Sequence, residues 1–188
     1  MIAHNAYEIS CARLDRGADI GDERIVGVVR HALCARGVDR ARISVAIVDD
    51  ERMAELHERH LGIAGPTDVL TFDLSDSGEA GAFAVGGDGV DCGDGVDGVE
   101  CVHGGDERAS GASGLEGEIV VSMDTAVRAA GQRGHDPAVE VLLYAVHGVL
   151  HLTGMDDHDP ADAAAMHEME DRILAGLGVG RVFGGSGE

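Results

Sequence analysis

The sequence predicts one folded domain that combines β-strands with α-helices. Four short segments have the apolar, β-branched composition of strands, and five longer segments carry apolar residues at helical spacing. The length of 188 residues suits one domain with a substantial core but not two ordinary ones. The apolar content of 44% is typical of a soluble globular protein.

The first elements are a strand, a helix and a second strand. A short strand is predicted at 7–14. The segment 22–36 has apolar residues at helical spacing, and Gly37 follows where a glycine commonly ends a helix. The sequence ISVAIV at 43–48 is apolar and β-branched, which is typical of a buried strand.

A second helix and a third strand come next, followed by a segment of different composition. Asp49 or Asp50 caps a short helix, and 69–74 is predicted as a strand. Residues 75–116 are dense in Gly and Asp, contain the short internal repeat GDGVDCGDGVDG and nearly lack large apolar side chains. Such a segment cannot bury enough apolar area to offset its ordering entropy. We predict a disordered insertion there, within a single domain spanning 1–188; a calcium-binding glycine–aspartate repeat is the alternative.

The last part of the chain is mostly helical. GEIVVS at 117–122 predicts a strand, and 123–133 predicts an amphipathic helix. Asp136 followed by Pro137 indicates a helix start, because Asp caps the helix and Pro lacks an N–H that the first turn does not use. The helix at 138–152 is apolar almost all round, so it belongs at the centre of the domain. Another Asp–Pro pair begins a last helix.

Charge and aromatic content restrict the possible partners. The formal net charge of −21 repels a polyanion unless the basic residues share one face. The chain has 14 arginines and no lysine, and the planar guanidinium suits phosphate recognition. The aromatic content of 3% makes stacking platforms for nucleobases scarce. The sequence has no apolar leader and no stretch long enough to span a membrane, so we expect a cytoplasmic protein without a membrane partner.

One segment of the central helix carries the pattern of a metal site. His147 and His151 are four residues apart, so on a helix they differ by about 40° in direction and about 6 Å in height and leave the same face. Two imidazole nitrogens so placed can converge on one tetrahedral zinc ion. Two packed core histidines are the plain alternative, but unpaired imidazoles on a buried apolar helix would be costly. The sequence therefore predicts one zinc ion per chain.

The turn after this helix supplies the third ligand. Gly154 can adopt a positive φ, end the helix and turn the chain back toward the histidines. Counted on the frame H-x-x-x-H-x-x-G-x-x-ligand of the metzincin proteases, the third ligand is Asp157, and His158 lies one residue beyond. Zinc accepts carboxylate oxygen and imidazole nitrogen, so both are candidates, and spacing favours Asp157. Gly148 stands where zinc proteases place their general base, so the motif names no catalytic residue.

Three segments together resemble one known family. HGVLHLTGMDDH at 147–158 resembles the H-G-x-L-H-L-x-G-y-D-H signature of the YbeY endoribonucleases, and PTDVLTF at 66–72 and LEGEIVVS at 115–122 are similar to strands of that family. The resemblance covers roughly residues 5–175 once the Gly/Asp-rich insertion is set aside. It implies an α+β fold with a central mixed sheet of about four strands packed with helices. It also implies a zinc site at the C-terminal end of the buried central helix.

The resemblance implies a function as well. YbeY proteins are single-strand-specific, metal-dependent endoribonucleases of ribosomal RNA maturation and ribosome quality control. Single-stranded ribosomal RNA and the small ribosomal subunit or its proteins are therefore the expected partners, and no DNA is expected. Two other functions are considered beside it: a zinc hydrolase of another substrate, such as a peptide, and a ribosome-associated binding factor whose zinc is structural. A structural site would be closed by four protein ligands, as it would be if Asp157 and His158 both bound the metal.

The chain departs from the family at two functional positions. The third histidine of the family falls here on Asp157, with His158 displaced by one residue. An arginine thought to handle phosphate often stands five residues before the proline of the P-T-D-V-L strand. That position is Leu61 here, and Arg59 is the nearest arginine.

Overall fold

The computed structural model describes residues 5–14, 20–75 and 114–183. Every predicted strand and helix is present within these ranges, with ends that differ by at most three residues from those expected. The elements are β1 (Ala6–Arg13), α1 (Asp22–Ala35), β2 (Arg40–Val48), α2 (Asp50–Leu61), β3 (Val69–Asp73), β4 (Leu115–Ser122), α3 (Met123–Arg133), α4 (Pro137–Leu152) and α5 (Pro160–Gly176).

The predicted insertion at 75–116 lies outside the described residues except at its two ends. The insertion ends earlier than predicted, because β4 begins at Leu115 and pairs with β2 from that residue onward. None of the described helices is both long and apolar enough to cross a membrane.

The four strands form one mixed sheet in the order β1-β2-β4-β3. The pairs β1–β2 and β2–β4 are parallel, whereas β3 runs antiparallel to β4 with Leu70 opposite Val120. The two central strands, β2 and β4, carry buried apolar runs, as expected of strands covered on both sides. The predicted α+β class with a central mixed sheet is confirmed.

Alternate side chains of the sheet enter two different cores. Ile43, Val45 and Ile119 join the large core beneath α1, α4 and α5. Val120 and Leu70 face the other way and pack with Met53 of α2 in a smaller core. Helix α4 is therefore enclosed between the sheet and α5, and twelve of its 16 residues are buried.

The two ends of α4 are held by a local capping residue and by a contact from the end of α1. Asp136 caps its first turn by accepting a hydrogen bond from the Ala138 amide, as its sequence predicts. At the other end, the Arg36 side chain donates to Thr153 Oγ1 at 3.0 Å and to the Thr153 carbonyl at 3.2 Å. Gly154 then adopts a φ of 87°, which turns the chain back along the helix. These contacts hold the loop that follows α4 against the helix.

Candidate metal centre

The two imidazoles of the motif converge at the C-terminal half of α4. The Nε2 atoms of His147 and His151 are 2.9 Å apart, and the rings meet edge to face with centroids 4.4 Å apart. Their side chains are 20% and 27% exposed, so the nitrogens are reachable from solvent although the helix is buried. The i, i+4 spacing on a straight helix produces this arrangement.

The turn at Gly154 brings Asp157, and not His158, to the imidazoles. One Asp157 oxygen lies 3.7 Å from Nε2 of His147 and the other 3.9 Å from Nε2 of His151. A ligand atom from each of these three residues lies within 4.8 Å of the others. His158 is 87% exposed, and its Nδ1 contacts Asp156. Asp156, Asp157 and His158 form a second close group, but all three are exposed.

Each imidazole is oriented through its other ring nitrogen. Nδ1 of His147 lies 2.7 Å from Oε1 of Glu170 on α5, and Nδ1 of His151 lies 3.1 Å from the Met155 carbonyl. A carbonyl oxygen and a carboxylate oxygen can only accept, so each Nδ1 carries a proton, and in a neutral imidazole the Nε2 lone pair is then available to a metal ion. Partners of this kind commonly fix metal-binding histidines.

Glu170 is a site residue that sequence reasoning missed. It lies 19 residues after His151 along the chain and on a different helix. A signal for it does exist: Met166, Ile173 and Leu174 mark the buried face of α5, and Glu170 occupies the same face with 1% exposure. An acidic residue at a core position needs a partner, and here that partner is His147.

The two histidines have opposite electrostatic environments. Burial would lower the pKa of His147, but the hydrogen bond and charge of Glu170 outweigh burial and raise it. Burial and the neighbouring His147 lower the pKa of His151. His151 therefore stays neutral more readily. His147 is protonated more readily, so it is the imidazole at which protons compete with a metal ion.

The residues present fit a divalent metal ion. The Glu170 carboxylate is buried, and its Oε2 has no hydrogen-bond partner among the described residues. Oε1 accepts a hydrogen bond from His147, which must be neutral to bind a metal through Nε2. A buried negative charge is then compensated only if a cation lies beyond the imidazole. Two imidazole nitrogens and one carboxylate are a donor set that zinc accepts, with one coordination position left open.

Position 148 faces the sheet rather than the cleft. A Cβ at Gly148 would lie 2.7 Å from Cγ2 of Ile119 and 3.1 Å from Cγ2 of Thr71. Any side chain here would push α4 away from β3 and β4. The general base of the zinc proteases is therefore sterically excluded from this position.

The face of α4 that carries His147 continues toward the start of the helix through Tyr144 and Glu140. Glu140 is fully buried and accepts two hydrogen bonds from Nη1 of Arg133, at 2.8 and 2.9 Å. Asp68, at the start of β3, raises the pKa of both His147 and Tyr144 through its charge, although burial has the largest effect on each. The charge of Asp68 therefore acts on both side chains.

The position of the family arginine, at the end of α2, is occupied by Leu61. Leu61 is 59% exposed. Arg59 is exposed on α2, and no hydrogen bond or ion pair joins it to another residue that the structure describes.

Comparison with known proteins agrees with this fold and motif. The family model described as endoribonuclease YbeY matches residues 16–178. The endoribonuclease YbeY of Salinispora tropica is 37% identical over 164 residues, which cover 86% of this chain and 90% of that protein. The protein of the same name from Moorella thermoacetica is 38% identical over 156 residues, which cover 82% and 85% of the two chains. The solution structure of TM1509 from Thermotoga maritima matches with a TM-score of 0.50 at 18% identity, covering 91% of this chain and 88% of that one, and bears on the fold alone. The chain belongs to the YbeY endoribonuclease family.

Proposed function

We propose that this protein is a metal-dependent endoribonuclease that cleaves single-stranded ribosomal RNA during rRNA maturation and ribosome quality control. The observation that carries the proposal is the convergence of His147, His151 and Asp157 in a chain of the YbeY endoribonuclease family. One zinc ion per chain is the proposed cofactor. Ribosomal RNA and the small subunit or its proteins are the proposed partners, which places the action in the cytoplasm.

The proposed ligands leave room for substrate. His147 and His151 supply Nε2 and Asp157 supplies carboxylate oxygen, so three of the four positions of a tetrahedral ion are filled by protein. When bound, zinc supplies Lewis acidity, which polarises a phosphoryl oxygen and lowers the pKa of a coordinated water. Glu170 holds His147 in place by accepting a hydrogen bond from its Nδ1–H.

Two observations favour this function over its alternatives. A structural zinc site requires a fourth protein ligand, but His158 is 87% exposed and contacts Asp156 instead. A zinc-protease mechanism requires a general base after the first histidine, but position 148 is packed against Ile119.

The test is metal content measured together with RNA cleavage. Mass spectrometry should find near one zinc per wild-type chain, and His147→Ala and Asp157→Ala should lose both the metal and cleavage of single-stranded rRNA fragments. His158→Ala is the matched control, because it removes an adjacent imidazole that lies outside the proposed ligand set, and it should keep both. A duplex of the same sequence should be cleaved poorly. Wild-type protein without metal, or cleavage that survives the loss of metal, would refute the proposal.

A further inference from the structure

One arginine reaches the end of α4 from another helix. The Arg36 side chain extends from the C-terminal end of α1 to Thr153, which lies 117 positions further along the chain. Its Nε donates to Thr153 Oγ1 at 3.0 Å, and its Nη2 donates to the Thr153 carbonyl at 3.2 Å. A guanidinium group presents its donors in a rigid plane, so one side chain can hold both oxygens in a fixed orientation. Arg36 therefore sets the orientation of residue 153 as well as its distance from α1.

The packing of α1 places Arg36 at this point. Ala32 and Leu33 are fully buried in the core that α1 shares with α4, and Arg36 follows them by one helical turn on the same face. The guanidinium group consequently lies at the C-terminal end of α4, where the helix dipole favours a positive charge. Arg36 is partly buried, so water competes less for its hydrogen bonds than it would on the surface.

Thr153 begins the turn that completes the metal centre. It is 7% exposed, and its hydroxyl donates to a carbonyl of the preceding helical turn at 2.8 Å while accepting from the arginine. Two residues later, the Met155 carbonyl lies 3.1 Å from Nδ1 of His151. Two residues after that, the Asp157 oxygens lie 3.7 and 3.9 Å from the two imidazole Nε2 atoms. The segment 153–157 therefore contains both the backbone partner of His151 and the proposed third ligand.

We propose that Arg36 is a positioning residue of the metal centre: by holding Thr153, it sets where the turn presents Asp157 to the imidazoles. The inference rests on the proposed function, because it concerns the ligands of the proposed metal ion. Without the guanidinium group, the buried Thr153 carbonyl would lose its donor from α1, and the turn would shift until that oxygen met water. Only residues 154–156 separate Thr153 from Asp157, so such a shift would move the carboxylate relative to the Nε2 atoms.

The contact is not implied by the motif of the central helix. In the signature that residues 147–158 resemble, the position before the glycine of the turn is open to any residue, and Thr153 occupies it here. The threonine supplies the hydroxyl that accepts from Arg36. The positioning role therefore depends on a pair of residues that the signature does not specify.

The test measures zinc affinity in Arg36→Met and in the wild type, by competition with a chromophoric chelator. Methionine keeps much of the apolar stem of arginine but has no donor, so zinc affinity should fall about tenfold, as it does when other partners that orient metal ligands are removed. Cobalt gives a second readout, because the visible absorption bands of bound Co²⁺ report the number and geometry of its ligands. At saturating Co²⁺, the bands of Arg36→Met should shift or weaken, whereas a variant that is merely less stable keeps the wild-type spectrum.

Thr153→Val tests the same contact from its other side. Valine has the shape of threonine without the hydroxyl, so this variant should also lower zinc affinity, and Thr153→Ser should restore it. In Arg36→Met combined with Thr153→Val, the loss should be smaller than the product of the two single losses, because both changes remove the same hydrogen bond. Thr153→Val also carries the test if Arg36→Met does not fold.

Arg13→Met is the matched control. Arg13 is also a partly buried arginine that donates to a backbone carbonyl, that of Ile20 at 2.8 Å, but this contact lies at the opposite end of α1. Arg13→Met should keep the wild-type zinc affinity and Co²⁺ spectrum. Wild-type affinity and spectrum in both Arg36→Met and Thr153→Val, or equal losses in Arg36→Met and the control, would overturn the inference while leaving the proposed function intact. A wild-type protein that binds no zinc would overturn both.

Discussion

Replacing Glu170 by Gln should weaken metal binding without unfolding the protein. Glutamine has nearly the same volume as glutamate and keeps a side-chain oxygen that can accept a hydrogen bond from Nδ1–H of His147. In the wild type, Nδ1 of His147 lies 2.7 Å from Oε1 of Glu170. It removes the negative charge that the buried side chain, 1% exposed, directs at the imidazole. A less polarised imidazole is a poorer ligand at Nε2.

The expected loss is about tenfold to a hundredfold in zinc affinity, which is the usual effect of removing such a partner. That corresponds to about 1.4–2.7 kcal/mol of binding free energy. The metal-free protein should behave differently, because glutamine keeps the hydrogen bond to His147 when no metal ion depends on the charge of the side chain. We therefore expect Tm of metal-free Glu170→Gln to stay within about 4 °C of wild type, which is roughly 1 kcal/mol for a chain of this size.

Competition with a chromophoric chelator measures the zinc affinity, and thermal unfolding in EDTA measures Tm. Glu168→Gln is the matched control, since Glu168 lies on the same helix but is 70% exposed and 3.9 Å from Arg172. It should change neither quantity. Equal zinc affinity in wild type and Glu170→Gln would refute the argument, and so would a loss of affinity that merely follows a large fall in Tm.

Three further predictions concern packing and chemistry around the site. Gly148→Ala should lower Tm by several degrees, because its Cβ would lie 2.7 Å from a buried side chain and overpacking costs about 1–3 kcal/mol. Gly131→Ala, in an exposed helical position with nothing within 4 Å, should raise Tm instead, and a fall in both would contradict the packing argument. Asp50→Asn should lower Tm at neutral pH: burial raises the pKa of Asp50, but hydrogen bonds, first that from Arg128, outweigh burial and hold it below its ordinary value of 3.8. This stabilisation is present above that ordinary value and is lost as pH falls through the folded pKa of Asp50. The Tm difference between Asp50→Asn and wild type should therefore vanish in strong acid. A Tm difference that does not depend on pH would contradict this prediction. Asp157→His should retain about one zinc per chain by mass spectrometry, since imidazole also binds zinc; a metal-free variant would show that this position requires a carboxylate.

The ligand frame could be predicted because it is local in sequence. The spacing of His147 and His151 sets their common face, and the positive φ of Gly154 requires only a glycine where the helix ends. Between Asp157 and His158, spacing alone left a choice. In the structure the turn carries Asp157 toward the imidazoles and leaves His158 beside Asp156, which supports Asp157 as the proposed third ligand.

The strands and helices could also be predicted from local signals, since capping residues and apolar periodicity act within one turn or a few residues. The order of the strands could not be predicted from those signals. Placing β4 between β2 and β3, with β3 antiparallel, depends on which apolar faces pack together across the whole domain. The mixed sheet was predicted from the resemblance to a known family and not from the periodicity of the sequence.

The sequence by itself determined the elements, the two imidazoles on one helix face and the glycine that turns the chain toward them. Only the tertiary structure decided which distant residues complete the site. Glu170 reaches His147 from α5, and Arg36 reaches Thr153 from the end of α1. Such contacts depend on how α1, α4 and α5 pack against the sheet and one another. That packing is set by the summed burial of many apolar side chains rather than by any short motif.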